Sequence, residues 1–180
     1  MAGFNLLKPN VMIDLETLAT HFDAGILSVG AVKFDHSGIL DKFYKNVKLT
    51  SLKQYNFHID PETLKWWSEQ KQDTMESLFK QAVPLYQVLE EFNAWYGPES
   101  MMTWSNGADF DQVILRYSMR QVGLVEPWKY WHGMCYRTLK NLIDGDKSLV
   151  PPENTEHHNA LADSIWQSEH MINMWHVWAA

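Results

Sequence analysis

Residues 11–16 read Val-Met-Ile-Asp-Leu-Glu, a short apolar segment with two acidic side chains two positions apart. Its length and apolar character favour a buried strand. Side chains two apart on a strand point to one face, so Asp14 and Glu16 converge while Ile13 and Leu15 face the other side. Adjacent carboxylates raise each other's pKa, and a hard divalent cation would relieve that cost. The pair alone also fits a solvated strand end.

The strands that follow predict an antiparallel meander. Residues 26–35 are rich in Val, Ile and Phe, the sequence Asp-His-Ser-Gly at 35–38 is typical of a turn, and residues 40–47 form a third strand. Short connections of this kind join neighbouring antiparallel strands. Residues 11–16 would therefore pair directly with residues 26–35.

Helices and strands alternate in the rest of the chain. Asp60 is a predicted N-cap before a helix that begins at Pro61, and a second helix runs from Pro84 to Gly97. Further strands are predicted at 101–104 and 129–132, helices at 110–122, 136–143 and the C-terminus, and a loop at 145–156. We therefore expect an α/β fold: a mixed five-stranded sheet, antiparallel meander then parallel strands, flanked by helices in a single domain of residues 1–180.

Composition narrows the class of protein. The chain has 180 residues, 46% of them hydrophobic, and a net charge of −7. That acidity argues against high-affinity, nonspecific binding to duplex DNA, although bound metals would add local positive charge. The lone Cys135 excludes an intrachain disulfide and, together with the lack of a signal peptide or a membrane-spanning segment, indicates a cytoplasmic protein.

A second acidic motif follows the predicted strand at 101–104. Residues 106–111 read Asn-Gly-Ala-Asp-Phe-Asp and would lie outside the carboxyl end of that strand, where open α/β sheets place their sites. We assign Asp109 as the helix N-cap, with Phe110 starting the helix. Asp111 then lies in the first turn and is the better candidate metal ligand, although Asp109 remains the alternative.

A third motif opens the C-terminal helix. His158 and Asp163 lie five residues apart, and the small Ala160 is one turn from Asp163 on the same face, which would leave room for a metal or substrate. A neutral imidazole is suited to take a proton from water near neutral pH. His158 is therefore the predicted general base.

The ordered set of motifs resembles the DEDDh family of 3′→5′ exonucleases, which has the ribonuclease-H-like fold, and more narrowly the phage and small exoribonuclease members. The resemblance spans Asp14 to Asp163, nearly the whole chain. It implies a catalytic set of Asp14, Glu16, Asp111, Asp163 and His158. The sequence departs from many relatives at residues 16–19, Glu-Thr-Leu-Ala, which lack their glycine; this puts the loop contacts to the terminal nucleotide in question.

The resemblance also implies a mechanism. Two Mg²⁺ or Mn²⁺ ions would be held by four carboxylates, with Asp14 contacting both, Glu16 and Asp163 completing the shell of one, and Asp111 holding the second. His158 would deprotonate the attacking water. The products would be nucleoside 5′-monophosphates released from the 3′ ends of single-stranded DNA or RNA, with DNA slightly favoured.

The sequence offers several candidate substrate contacts and leaves alternative functions open. Thr17, Asn106 and Arg137 are candidate contacts, Leu18 a candidate wedge beside the terminal base, and Trp66 a candidate stacking platform; Trp66 and Trp67 could equally be core residues. An exoribonuclease acting on short RNA, a two-metal endonuclease and a non-catalytic nucleic-acid-binding module are the alternatives. A homodimer is expected because relatives are often dimers, and Trp175 and Trp178 near the C-terminus could be core residues or part of its surface.

Overall fold

The structure is a computed structural model that describes residues 5–143, 149–152 and 158–179. A five-stranded sheet and six α-helices make up these residues. The elements are β1 (Asn10–Thr17), β2 (Ile26–Asp35), β3 (Gly38–Asn46), α1 (Pro61–Ser68), α2 (Gln72–Phe79), α3 (Leu85–Tyr96), β4 (Met102–Ser105), α4 (Asp111–Gln121), β5 (Gly133–Cys135), α5 (Tyr136–Ile143) and α6 (Ala160–Trp178). None of the described helices is long and apolar enough to cross a bilayer.

The sheet has the strand order β3-β2-β1-β4-β5, which places β1 at its centre. β2 pairs antiparallel with β1 and β3, as the predicted meander requires. β4 and β5 run parallel to β1, so these three strands end at the same edge of the sheet. The prediction of a mixed α/β sheet flanked by helices is confirmed, and β1 carries its two acidic residues to this common edge.

Alternating side chains of β1 pack into two separate hydrophobic cores, one on each face of the sheet. Ile13 and Leu15 pack in one core with residues of α3 and α4. Met12 packs in the other core with residues of α5 and α6. Because Asp14 and Glu16 share the strand face of Met12, they point towards α6.

Gly30 allows α6 to approach the sheet beside this acidic pair. Gly30 on β2 is the register partner of Asp14 on β1. A Cβ atom at position 30 would lie only 2.1 Å from the backbone carbonyl carbon of Ala160. The first turn of α6 therefore packs directly on β2. The hydroxyl of Ser164 donates a hydrogen bond to the Gly30 carbonyl oxygen and stabilises this contact. Ala160 is fully buried in this contact, so packing, rather than open space for a ligand, accounts for its small size.

Three details of the predicted elements differ in the structure. The strand predicted at 129–132 is wrong: residues Tyr130–His132 form a 3₁₀ turn and the strand is Gly133–Cys135. Aromatic residues such as Tyr130 and Trp131 have a high strand propensity because they usually pack on a half-buried sheet. Here both side chains are exposed, so no such packing holds them in a strand. Helix α2 was not predicted, and the predicted loop 145–156 lies mainly outside the described residues.

Candidate active site

Three carboxylates meet at the carboxyl end of β1. Ligand oxygens of Asp14, Glu16 and Asp163 all lie within 4.8 Å of one another. The two β1 residues reach this point because they share a strand face, and Asp163 reaches it because α6 begins on Gly30. Carboxylates from the two ends of the sequence thus lie together at the end of the central strand.

Asp111 flanks the three carboxylates from the start of α4. It is only 3% exposed, and its Oδ1 accepts a hydrogen bond of 3.1 Å from the backbone N–H of Leu15, the residue between the two β1 acids. Asp109 is exposed and does not cap the helix as predicted: the N-cap position is Phe110, which makes no side-chain capping bond. Of the two aspartates, Asp111 is the one placed beside β1.

The proximity of these acids changes their proton affinity. Burial first, and then the charges of Asp163 and Asp111, raise the pKa of Glu16 to about 8. Burial, together with Asp111, Glu16 and Asp163, raises the pKa of Asp14 well above its ordinary value. Burial also raises the pKa of Asp111 to about 7, although the Leu15 N–H and the Arg137 guanidinium oppose that shift. Such a set favours binding of positive charge, and its all-oxygen ligands suit Mg²⁺ or Mn²⁺.

Gln167 is a site residue that the sequence analysis missed. Its Nε2 donates a hydrogen bond of 3.0 Å to Asp14 Oδ1, and its side chain is 5% exposed. Its Oε1 is buried and has no hydrogen-bond partner among the described residues. Gln167 lies four residues after Asp163 on α6, so helical periodicity could have placed both side chains on one face.

His158 precedes α6 in an unusual backbone conformation. Its φ of 61° lies in the left-handed region, and the next residue, Asn159, caps the helix by accepting hydrogen bonds from the N–H groups of Leu161 and Ala162. The imidazole packs edge-on against Trp66, with ring centroids 4.6 Å apart, and against Trp67 at 6.2 Å. The tryptophans thus fix the ring at the border of the site.

A cleft of about 490 Å³ opens beside Glu16. One wall is α1 and its N-cap, and the other includes the end of β1 and the start of α4. The lining residues are Leu15, Glu16, Thr17, Thr20, Asp60, Glu62, Thr63, Trp66, Trp67 and Phe110. Its volume falls in the range of small-ligand sites.

The two tryptophans of α1 have different environments. Trp67 is 3% exposed, and its indole N–H donates a hydrogen bond of 2.9 Å to the Thr17 carbonyl oxygen. Trp67 is therefore a core residue that ties α1 to the end of β1. Trp66 is 40% exposed and lines the cleft.

Leu18 does not have the position predicted for a wedge. It is 4% exposed and belongs to the core that contains Leu15. The β1–β2 register shifts between Glu16 and Thr17, so the strand alternation that would have placed Leu18 beside Asp14 is broken there. Thr17 does line the cleft, and its hydroxyl donates a hydrogen bond to the Ala19 carbonyl oxygen.

Arg137 and Asn106 meet on the β4 side of the site. The Arg137 guanidinium donates a hydrogen bond of 2.7 Å to the Asn106 carbonyl oxygen, and its charge lowers the pKa of Asp111 against the larger effect of burial. Gly107, whose φ of 121° favours glycine, follows Asn106, and a Cβ at this position would lie 3.4 Å from Arg137 Nη2. A cationic group thus lies close to Asp111.

The sheet order and the helices packed on both of its faces define a ribonuclease-H-like fold, with acids of β1, α4 and α6 at the end of the central strand. The chain belongs to the Rv2179c-like 3′-5′ exoribonuclease domain family, whose model matches residues 9–175. No curated protein sequence matches it significantly.

Solved structures with the same fold are distant in sequence. E. coli exonuclease I in complex with a dT13 oligonucleotide has a TM-score of 0.67 and 12% identity over 93% of this chain and 40% of its own; the chain thus spans about two fifths of that protein. The nuclease domain of 3′hExo, a DEDDh family member bound to rAMP, has a TM-score of 0.63 and 15% identity over 94% and 92%. Cell-death related nuclease 4 has a TM-score of 0.61 and 18% identity over 94% and 64%.

Proposed function

We propose that this protein is a metal-dependent 3′→5′ exonuclease that releases nucleoside 5′-monophosphates from single strands. The observation that carries the proposal is the convergence of Asp14, Glu16 and Asp163 within 4.8 Å at the end of the central strand, in a chain of an exoribonuclease domain family. Crowded carboxylates are costly without a cation, and this set adds Asp111 as a fourth ligand candidate.

The residues divide the chemistry between them. Asp14, Glu16, Asp163 and Asp111 would hold two divalent cations, which supply charge stabilisation to the attacking and leaving oxygens of an in-line displacement. His158, fixed against Trp66, takes a proton from the attacking water. The new P–O bond forms as the P–O3′ bond breaks; the shortened strand keeps its 3′ oxygen, which gains a proton, and the product keeps the 5′-phosphate.

The cleft fits the terminal nucleoside. Trp66 offers a stacking face on one wall, Thr17 lies at the end of β1, and Phe110 lies on the opposite wall. Arg137, whose charge acts on Asp111, would contact a phosphate, with Asn106 beside it.

We propose RNA as the preferred substrate, with single-stranded DNA as the second candidate. The family description names an exoribonuclease, and the similar 3′hExo domain was studied with rAMP. DNA is favoured by the similarity to exonuclease I, which was studied with dT13. The net charge of −7 favours short single strands over long duplexes for either polymer.

The test is a cleavage assay on 5′-labelled single strands of RNA and DNA with matched sequences, in Mg²⁺ and in Mn²⁺. We expect a ladder that shortens from the 3′ end, with mononucleotides as products, and faster shortening of RNA. EDTA, Asp163→Asn and His158→Ala should each abolish the ladder. His176→Ala is the matched control, because His176 is exposed near the other end of α6.

Each alternative gives a different result on the same gel. Internal cuts would replace the proposal with an endonuclease. Binding of the strands without cleavage in either metal would indicate a non-catalytic module. Faster shortening of DNA would reverse the substrate preference and leave the reaction itself intact.

A further inference from the structure

Five aromatic rings form a continuous surface near the cleft, which we call the aromatic rim. Its members are His21, Phe22, Phe57, His58 and Tyr117. Phe22 and Tyr117 meet edge to face, with ring centroids 5.6 Å apart, and Phe57 contacts Tyr117 at 6.0 Å. The rings of His21 and His58 lie 5.1 Å apart. The rim joins the β1–β2 loop, the segment before α1 and one face of α4.

The rim continues the cleft outwards in two places. Thr20 lines the cleft and immediately precedes His21. Phe110 also lines the cleft, and Tyr117 follows it seven residues later along α4. Seven residues are two helical turns, or roughly 10 Å. A strand whose end fills the cleft therefore has the rim within reach of its next nucleotides.

Phe57 is partly buried against the core, but packing within the protein does not account for Phe22. Phe22 is 55% exposed although it is a large apolar side chain. The Tyr117 hydroxyl donates a hydrogen bond to the Asn56 carbonyl oxygen, which fixes the ring against which Phe22 rests. An exposed ring held by a second, anchored ring is suited to stack on a flat partner.

The wall of the cleft formed by α1 and its N-cap is more acidic than the rim. That wall carries Asp60 and Glu62. The rim carries two imidazoles, and Arg120 lies one turn beyond Tyr117 on α4. Arg120 is 3.8 Å from Glu126, a carboxylate already bound more closely, at 2.9 Å, by Arg116. Asp23, which follows Phe22 in the chain, lies 3.6 Å from His21 Nδ1.

We propose that the aromatic rim binds nucleobases of the substrate strand upstream of the bond that is cleaved, with Phe22 as the principal stacking side chain. The inference rests on the proposed function and adds to it that the protein engages several nucleotides at once. Stacking on aromatic side chains tolerates every base because each has a π-face. The rim therefore sets a preference for strand length and not for sequence.

The experiment compares Phe22→Ala with the wild type on a dinucleotide and on a ten-nucleotide single strand that share the same 3′ end. We expect kcat/KM on the longer strand to fall at least five-fold, mainly through KM, while kcat/KM on the dinucleotide stays within two-fold. Phe79→Ala is the matched control, because Phe79 is 50% exposed at the end of α2 and outside the rim. Thermal unfolding of each variant checks that the fold is unchanged.

Equal losses on the two substrates, or no loss on the longer one, would overturn the inference while leaving the exonuclease proposal standing. If neither substrate is cleaved, the exonuclease proposal fails, and the rim is then tested by binding alone. Fluorescence anisotropy of the labelled ten-nucleotide strand should show at least five-fold weaker binding to Phe22→Ala than to Phe79→Ala. If the two variants bind the strand with equal affinity, the proposal that the rim binds nucleobases is refuted in that case too.

Discussion

Gln167 donates a hydrogen bond of 3.0 Å to Asp14, the carboxylate at the centre of the site. The bond fixes Oδ1 of Asp14 and is the one contact that lowers the pKa of this group, which burial and three neighbouring carboxylates raise. The partner is neutral, so it orients the carboxylate without neutralising the site as an arginine would. The charge needed to attract cations is therefore retained.

Removing this bond should weaken metal binding. In Gln167→Leu the amide donor is lost at similar volume, so Asp14 loses both its orientation and the bond that favours its ionised form. We expect the Mg²⁺ concentration for half-maximal activity to rise about ten-fold, with a smaller fall in kcat at saturating Mg²⁺. Gln72→Leu, on the exposed start of α2, is the control. An unchanged Mg²⁺ dependence would show that Gln167 serves only packing.

Gly30→Ala should destabilise the protein strongly. The new Cβ would lie 2.1 Å from backbone atoms of Ala160, which cannot move without lifting α6 from the sheet. We expect a loss of roughly 3 kcal/mol or more, at or beyond the upper end for overpacked cores. Gly25→Ala is the matched control, since its Cβ would meet only flexible side-chain atoms at 3.2 Å. Urea unfolding measures both; equal losses would contradict the tight seat of α6.

Metal-free stability should fall as pH rises from about 5 to 8. The pKa values of Glu16 and Asp111 are about 8 and about 7 in the folded chain and near 4 when unfolded. Between these values the folded state binds more protons than the unfolded state, so the slope of stability against pH is negative. Each extra proton contributes about 1.4 kcal/mol per pH unit.

Urea unfolding in EDTA at several pH values measures this slope, and Glu16→Gln should make it shallower. Mg²⁺ should raise the melting temperature more at pH 8 than at pH 6, because cations and protons compete for the same carboxylates. A metal-free stability that rises over this range would show that the acids are not enclosed together as the structure has them.

The sequence was sufficient to predict the residues whose positions follow from a local period. Asp14 and Glu16 share a face because strands alternate, and Asp163 follows His158 at the start of a patterned helix. Gly30 could not be placed in the same way, because it neighbours Asp14 only through the β1–β2 register. The helical period places Gln167 on the face of Asp163, but its contact with Asp14 depends on the docking of α6. The burial of Leu18 could not be predicted from strand alternation either, because the β1–β2 register shifts between Glu16 and Thr17.

Substitutions at His158 and at its neighbour Trp66 should lower the catalytic rate more than the stability of the fold. His158 combines a left-handed backbone, φ 61°, with a ring held edge-on at 4.6 Å from Trp66. Asparagine tolerates that backbone and cannot act as a base near pH 7. We therefore expect His158→Asn to lower kcat at least a hundred-fold, the usual range for a lost general base, with little change in stability. Trp66→Phe keeps an aromatic wall and should lose much less activity than Trp66→Ala, which frees the imidazole. Single-turnover rates and urea unfolding of the three variants test both statements, and a Trp66→Ala protein as active as Trp66→Phe would mean that the imidazole needs no such support.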